Sequence, residues 1–193
     1  MRRACDDGGM EPSQAGHPVR AGRPYMPGYG IVGADEGSGL LPWSWAVERI
    51  NAAKNFWVIT VWPDGRPHAM PVWGVWDEGA LWFSSSLRSR KIRNLVAEPR
   101  CVVTTEDAAD PVMIEGTAEV ITDMKMIKRF LVRSNEKYQT SYTVEFLDPA
   151  VNATVAVQPR WGIGLRHDDF SGSPTRWVFD DDAGAIPAAQ TLE

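Results

Sequence analysis

Two cysteines, Cys5 and Cys101, are all that the 193 residues contain. That scarcity excludes a disulfide framework and points to a reducing compartment. The three histidines, His17, His68 and His167, lie far apart with no metal-ligand spacing around them, so no metal site is expected. No apolar run approaches the roughly 20 residues a membrane-spanning helix needs. Met1, Arg2 and Arg3 lead into polar, Gly-rich sequence without an apolar h-region, so a secretory signal is not expected and a cytoplasmic location is. Cations are outnumbered, 20 Lys and Arg against 25 Asp and Glu, and the net charge of −5 speaks against general nucleic-acid binding. Paired carboxylates, a His/Asp arrangement and a Cys/His couple are also missing, and no side chain is assigned as catalytic.

What is present suits one domain with an appendage: 44% hydrophobic residues are enough for a sizeable core. Nine tryptophans (43, 45, 57, 62, 73, 76, 82, 161 and 177) fall mostly in strand-like segments, where aromatic rings fit a pleated, half-buried surface. Residues 1–40 hold nine of the 17 glycines and four prolines without sustained periodicity. Residues 1–22 are expected to be a disordered tail. Residues 23–42 read either as an arm with sticky Tyr25, Met26, Tyr29 and Ile31 or as a plain linker. The folded domain is expected over 43–180 and a fraying tail over 181–193.

Within that domain a short helix with Ser44 as its N-cap is predicted first. Strands follow over 56–62, 68–76 and 80–85, joined by the turns Asp64-Gly65 and Asp77-Glu78-Gly79 into an antiparallel meander. A helix over 89–97, strands over 100–105 and 112–120, and a helix over 124–136 capped by Asp123 come next. Candidate closing strands lie over 154–157, 161–166 and 175–179. Many short strands with a few helices describe a small antiparallel barrel, not a parallel α/β sheet. Pro71, inside the second strand, marks a sheet edge, a bulge or a place where the backbone faces a ligand.

The densest chemistry lies in Trp82-Phe-Ser-Ser-Ser-Leu-Arg-Ser-Arg-Lys-Ile-Arg-Asn-Leu95, a strand turning into a helix. Hydroxyls and cations crowd this turn. A helix N-terminus favours phosphate, and Arg90 and Lys91 in the first turn oppose the helix dipole unless an anion sits there. The alternative is a Ser-capped helix start with ordinary surface cations.

The order of these features, Arg66-Pro-His-Ala-Met-Pro-Val-Trp73, then Leu81-Trp-Phe-Ser-Ser-Ser86, then Ser89-Arg-Lys-Ile-Arg-Asn-Leu95 and Glu98-Pro-Arg100, resembles the pyridoxamine 5′-phosphate oxidase-like split-barrel superfamily over roughly residues 45–180. Within it the chain is most similar to the actinobacterial flavin/deazaflavin oxidoreductase branch. The resemblance implies a mainly β (α+β) fold, a six-stranded antiparallel split β-barrel with a few short helices, homodimeric, with two cofactor sites at the subunit interface. It implies that Ser89, Arg90 and Lys91 bind phosphate. Asn94 would fix Arg90 or a ligand oxygen, and Pro71, Val72 and Trp73 would run along the ring. Ser84, Ser85 and Ser86 would meet the ring's polar edge, and Arg176 and Trp177 would be supplied from the other subunit.

The long C-terminal segment of Arg and His that holds pyridoxal phosphate in the vitamin-processing members has no counterpart after Thr175-Arg-Trp-Val-Phe179, so pyridoxamine phosphate oxidase activity itself is not expected. The implied activity is an oxidoreductase that binds coenzyme F420, or alternatively FMN, and transfers a hydride to a small-molecule substrate. Arg88, Arg93 and Arg23 are candidate cations for the longer coenzyme's acidic tail, and the loops 106–111 and 170–174 are expected to shape the pocket. A carrier of flavin, deazaflavin or haem without turnover is the rival reading. No nucleic-acid or membrane partner is expected.

Overall fold

A computed structural model describes residue 18 and residues 20–179. The tails expected over 181–193 and over most of 1–22 lie outside the described residues. Strand β1 (Arg20–Gly22) is followed by α1 (Trp43–Ala52), β2 (Phe56–Val61), β3 (Pro67–Val72), β4 (Val75–Asp77), β5 (Ala80–Ser86) and α2 (Arg90–Ala97). Then come β6 (Arg100–Thr105), β7 (Val112–Ile121), α3 (Met124–Tyr138), β8 (Asn152–Gly164) and β9 (Thr175–Val178), with a 3-10 turn at Val144–Leu147. Every ladder is antiparallel. The order is β1-β9-β8-β7-β6-β2-β3, with β5 joined to β8 and β4. Among the described residues no helix is long and apolar enough to cross a membrane.

The branching comes from β8. Along one edge it pairs with β7; along the other, its first half pairs with β5 and its second with β9. The two short strands expected over 154–157 and 161–166 are therefore one bent strand. Pro159 does not break it because the register shifts there: Gly116 faces Pro159 while Glu115 already faces Trp161. A bulge of this kind accommodates a residue with no N–H to donate. Glycine is required opposite, since a Cβ on Gly116 would lie 2.3 Å from the Gln158 carbonyl oxygen.

The strand expected over 68–76 divides for the converse reason. At Gly74, where a Cβ would lie 2.9 Å from the Phe56 ring, the chain leaves β2 and turns onto β5. The backbone groups freed at this bend are taken up by α3. Gly74 N–H donates to the Tyr138 hydroxyl (2.7 Å), and Lys137 Nζ donates to Gly74 O (2.9 Å). Helix α3 thus reaches two residues beyond its predicted end and stops at Gln139, whose φ of 53° is left-handed. Helix α1 starts at Trp43 after Pro42 as N-cap; Ser44, the expected cap, lies inside it.

The continuous apolar run of β5 follows from burial on both sides. Leu81 and Phe83 enter a core with Ile50, Phe56, Val103 and Trp177, while Ala80 and Trp82 enter a second core with Ile127, Phe130 and Leu147. The N-terminal stretch is tied to loops of the same chain. Arg23 donates to the carbonyls of Gly33, Glu36, Gly39, Gly172 and Pro174, which spends its guanidinium inside the loops. Arg23 is therefore not a free cation for a ligand, and loop 170–174 is engaged with the arm.

Candidate functional site

At the end of β5 the alternation of side chains separates Ser85 from Ser84, and each opens a different region. On the Ser85 side the chain turns into α2. Ser85 Oγ donates to Ser89 Oγ (3.2 Å), and Ser89 caps the helix by accepting from Ile92 N–H (3.4 Å). Ser86 shapes the turn: its carbonyl accepts from Ser89 N–H and its hydroxyl from Arg88 N–H. No acidic residue stands in the first turn of α2 to meet the dipole.

Lys91 is only 8% exposed. Burial lowers its pKa, and among the described residues no carboxylate or carbonyl accepts from its ammonium. The stem is covered while the ammonium, with no protein partner, still reaches the surface, where its natural complement is an anion at the same helix start. Asn94, 1% exposed, donates to Thr60 Oγ1 (3.0 Å) and leaves Oδ1 without a partner. It pins α2 to β2, and of its two expected partners, Arg90 or a ligand oxygen, Arg90 is not bonded to it among the described residues. Arg90 turns outward, its Cζ 3.8 Å from the centroid of Trp62, which Arg66 approaches at 4.5 Å and His68 meets edge-on. The sequence reading missed Trp62 and Arg66; their signal was a Trp directly before, and a cation directly after, the Asp64-Gly65 turn.

Between β3 and β5 no ladder forms among the described residues, so the edge of β5 from Phe83 to Ser86 opposite β8 is free. Pro71 lies on the outer sheet edge opposite Trp57, where its missing N–H leaves no neighbouring strand unpaired. Val72 is buried in the core, and Trp73 is 48% exposed and stacked on Tyr138, with centroids 4.4 Å apart and planes at 5°. Of the three residues Pro71–Trp73 and the three serines, Trp73 and Ser84 line one cleft, and β3 and β5 approach each other there without pairing.

On the Ser84 side lies an apolar cleft. Trp73 and Ser84 border it, Phe130, Leu131 and Ser134 come from α3, and Tyr142 and Phe146 close it as a stacked pair 4.2 Å apart. On the far side of Trp73 sits the Lys137–Tyr138 clasp. Burial draws the Lys137 pKa down to about 8 and pushes the Tyr138 hydroxyl up to about 12.

Trp177 requires a correction. It is 0% exposed, its Nε1 donates to Leu41 O (3.0 Å), and its ring lies 5.3 Å from that of Trp43. A side chain with no accessible surface in its own subunit cannot line a site in another. Arg176, on the opposite side of β9, lies over Trp161 at 5.4 Å and does not join the corner of its own subunit. Register, not residue type, separates these two neighbours.

The family described as Pyridoxamine 5′-phosphate oxidase matches residues 46–159. No curated protein matches the sequence. Solved structures of similar fold include the conserved hypothetical protein Rv2991 from Mycobacterium tuberculosis, with 22% identity and a TM-score of 0.55 over 81% of this chain and 91% of that one. A protein related to general stress protein 26, of the pyridoxinephosphate oxidase family, from Clostridium acetobutylicum shares 17% identity at a TM-score of 0.56, over 73% and 96%. The heme storage protein HutZ from Vibrio cholerae shares 17% at 0.52, over 60% and 88%. At these identities the likeness speaks for the fold.

Proposed function

We propose, from the premise that this chain belongs to the pyridoxamine 5′-phosphate oxidase family, that it is an oxidoreductase holding coenzyme F420, or alternatively FMN, in the seam between β3 and β5. The observation that carries this reading is the Lys91 side chain, largely covered along its stem but with an ammonium that meets no protein acceptor among the described residues, beside a helix start that lacks an acid. The residues present fit such a group. Ser85, Ser89, Lys91 and the free N–H groups of the α2 start would take a phosphate. The unladdered edge of β5 and the backbone of Pro71–Trp73 would border a flat ring. When bound, the cofactor supplies hydride chemistry. The protein binds and orients, and with no acid or base side chain at the seam a proton would come from solvent.

The longer deazaflavin is preferred because Arg88, Arg90 and Arg93 have no carboxylate partner among the described residues. Each exposed cation contributes at most about 1 kcal/mol toward an acidic tail. A homodimer is part of the proposal, supported by the exposed apolar side chains Trp57 and Val61, which share one face of β2.

The test is fluorescence titration of the full chain with each cofactor. Lys91→Met should weaken binding by about 1.5–3 kcal/mol, the scale of a charge-assisted hydrogen bond. The melting temperature should hold, because methionine keeps the packing of the covered lysine stem. A loss below roughly 0.3 kcal/mol would show that Lys91 serves another purpose. Micromolar FMN binding without F420 binding would reverse the cofactor preference. Retention of cofactor, or of haem, without oxidation of the reduced form by any acceptor would favour the carrier reading.

A further inference from the structure

We infer that the cleft between β5 and α3 is the subsite for the second reactant, and that this reactant is a small, flat, uncharged apolar molecule of one or two fused rings. The inference rests on the reading that a redox ring occupies the seam, because Ser84 and Trp73 belong to both. Three features of the cleft set the chemical class.

The first is the chemistry of the lining. Its apolar surface comes from Trp73, Phe130, Leu131, Tyr142 and Phe146, and its polar atoms are the hydroxyls of Ser84, Ser134 and Tyr142. Among the described residues no cation or carboxylate lines it. A phosphate or carboxylate entering it would lose water with no charged partner to replace it, a penalty that excludes charged reactants far more strongly than hydroxyls can offset. The cationic corner lies on the opposite side of β5, so charge recognition and apolar recognition are kept apart by the strand itself. Lys137 lies behind Trp73 and donates to the carbonyls of Ile50 and Gly74.

Shape is the second feature. Two parallel aromatic stacks, Trp73 on Tyr138 and Tyr142 on Phe146, present flat surfaces at the cleft. The space of about 200 Å³ limits the occupant to a small ring system. The third is exposure. Trp73, Tyr142 and Phe146 each keep at least 41% of their surface accessible around this one cleft. Three exposed aromatics converging on a concavity form an apolar patch whose covering is favourable.

The experiment uses 2-naphthol and 2-naphthyl phosphate, the same ring without and with charge, titrated into the full chain by calorimetry. The wild type should bind the alcohol at least roughly tenfold more tightly than the phosphate ester. Leu131→Arg, which brings a cation to the cleft from the partly exposed face of α3, should invert that order. Ser134→Leu, which narrows the cleft without adding charge, should weaken the alcohol by a similar factor at unchanged melting temperature. Equal or tighter binding of the ester by wild type overturns the inference. So does failure to bind either probe, or an order unmoved by both variants. Titrating the same wild-type sample with F420 and FMN separates the two readings. Binding of the alcohol without either cofactor overturns the cofactor assignment while the cleft's preference stands. Cofactor binding with no preference for the alcohol overturns the inference alone.

Discussion

Ser84 and Ser85 are adjacent in sequence yet open into chemically opposite regions. Beyond Ser85 lies a corner of hydroxyls, cations and free N–H groups; beyond Ser84 lies a cleft of aromatic rings. The corner carries an unpaired ammonium on a largely covered lysine, a cost in electrostatics. The cleft carries exposed aromatic surface, a cost in hydration. Neither stabilises the isolated chain, and each would be relieved by a ligand of matching chemistry. Their separation by one strand lets a single protein hold an anionic cofactor and an apolar reactant without either chemistry compromising the other.

The comparison is broken most severely from the core behind the corner. Trp177→Ala removes a fully buried indole from a cluster with Trp43 and Trp45 and should cost about 3–5 kcal/mol of folding stability in chemical denaturation. Any loss of cofactor affinity should scale with the fraction unfolded. A variant of native stability that loses binding would return Trp177 to the site.

On the cleft side, Tyr138→Phe keeps the ring stacked on Trp73 but deprives Gly74 N–H of its acceptor. It should cost about 1–3 kcal/mol, the price of an unsatisfied buried backbone group. Hydrogen exchange at Gly74 should quicken while the amides of α2 stay protected. Acceleration at both would mean that the two regions open together.

The smallest effect is a dependence on pH. Lys137 has its folded pKa lowered to about 8, below its unfolded value, so between about pH 8 and 10 the unfolded chain holds more protons and stability rises with pH. Tyr138 acts in the opposite sense: its folded pKa is raised to about 12, so stability falls as pH climbs above about 10. Denaturation midpoints across this range should rise and then fall. Lys137→Met should flatten the rise and leave the fall, and an unchanged rise would assign it to other groups.

Much of the corner was legible because it is local. A strand ending in hydroxyls, a Ser three residues before a buried helix amide, and cations in the first turn all lie within 84–94, and short-range rules read them. The meander turns and the Asp123 cap were legible for the same reason. The cleft was not, because it is assembled from strand β5, helix α3 and a 3-10 turn that lie far apart in sequence. Helix α3 read only as amphipathic, and nothing in its pattern says that Lys137 and Tyr138 reach back to the peptide at Gly74.

The sequence by itself determined an antiparallel sheet with few helices and a Ser-capped helix start rich in cations. Those properties depend on alternation, capping and composition, which act over a few residues. Only the tertiary structure decided that Pro159 would sit in a bulge instead of ending a strand, and that Gly74 would divide another. It also decided that Trp177 would be core while Arg176 is not, and that Asn94 would bond Thr60 instead of Arg90. Each of these turns on which distant backbone or side chain supplies the missing hydrogen bond or fills the adjoining space, and contacts at long sequence separation are set by packing, not by local preference.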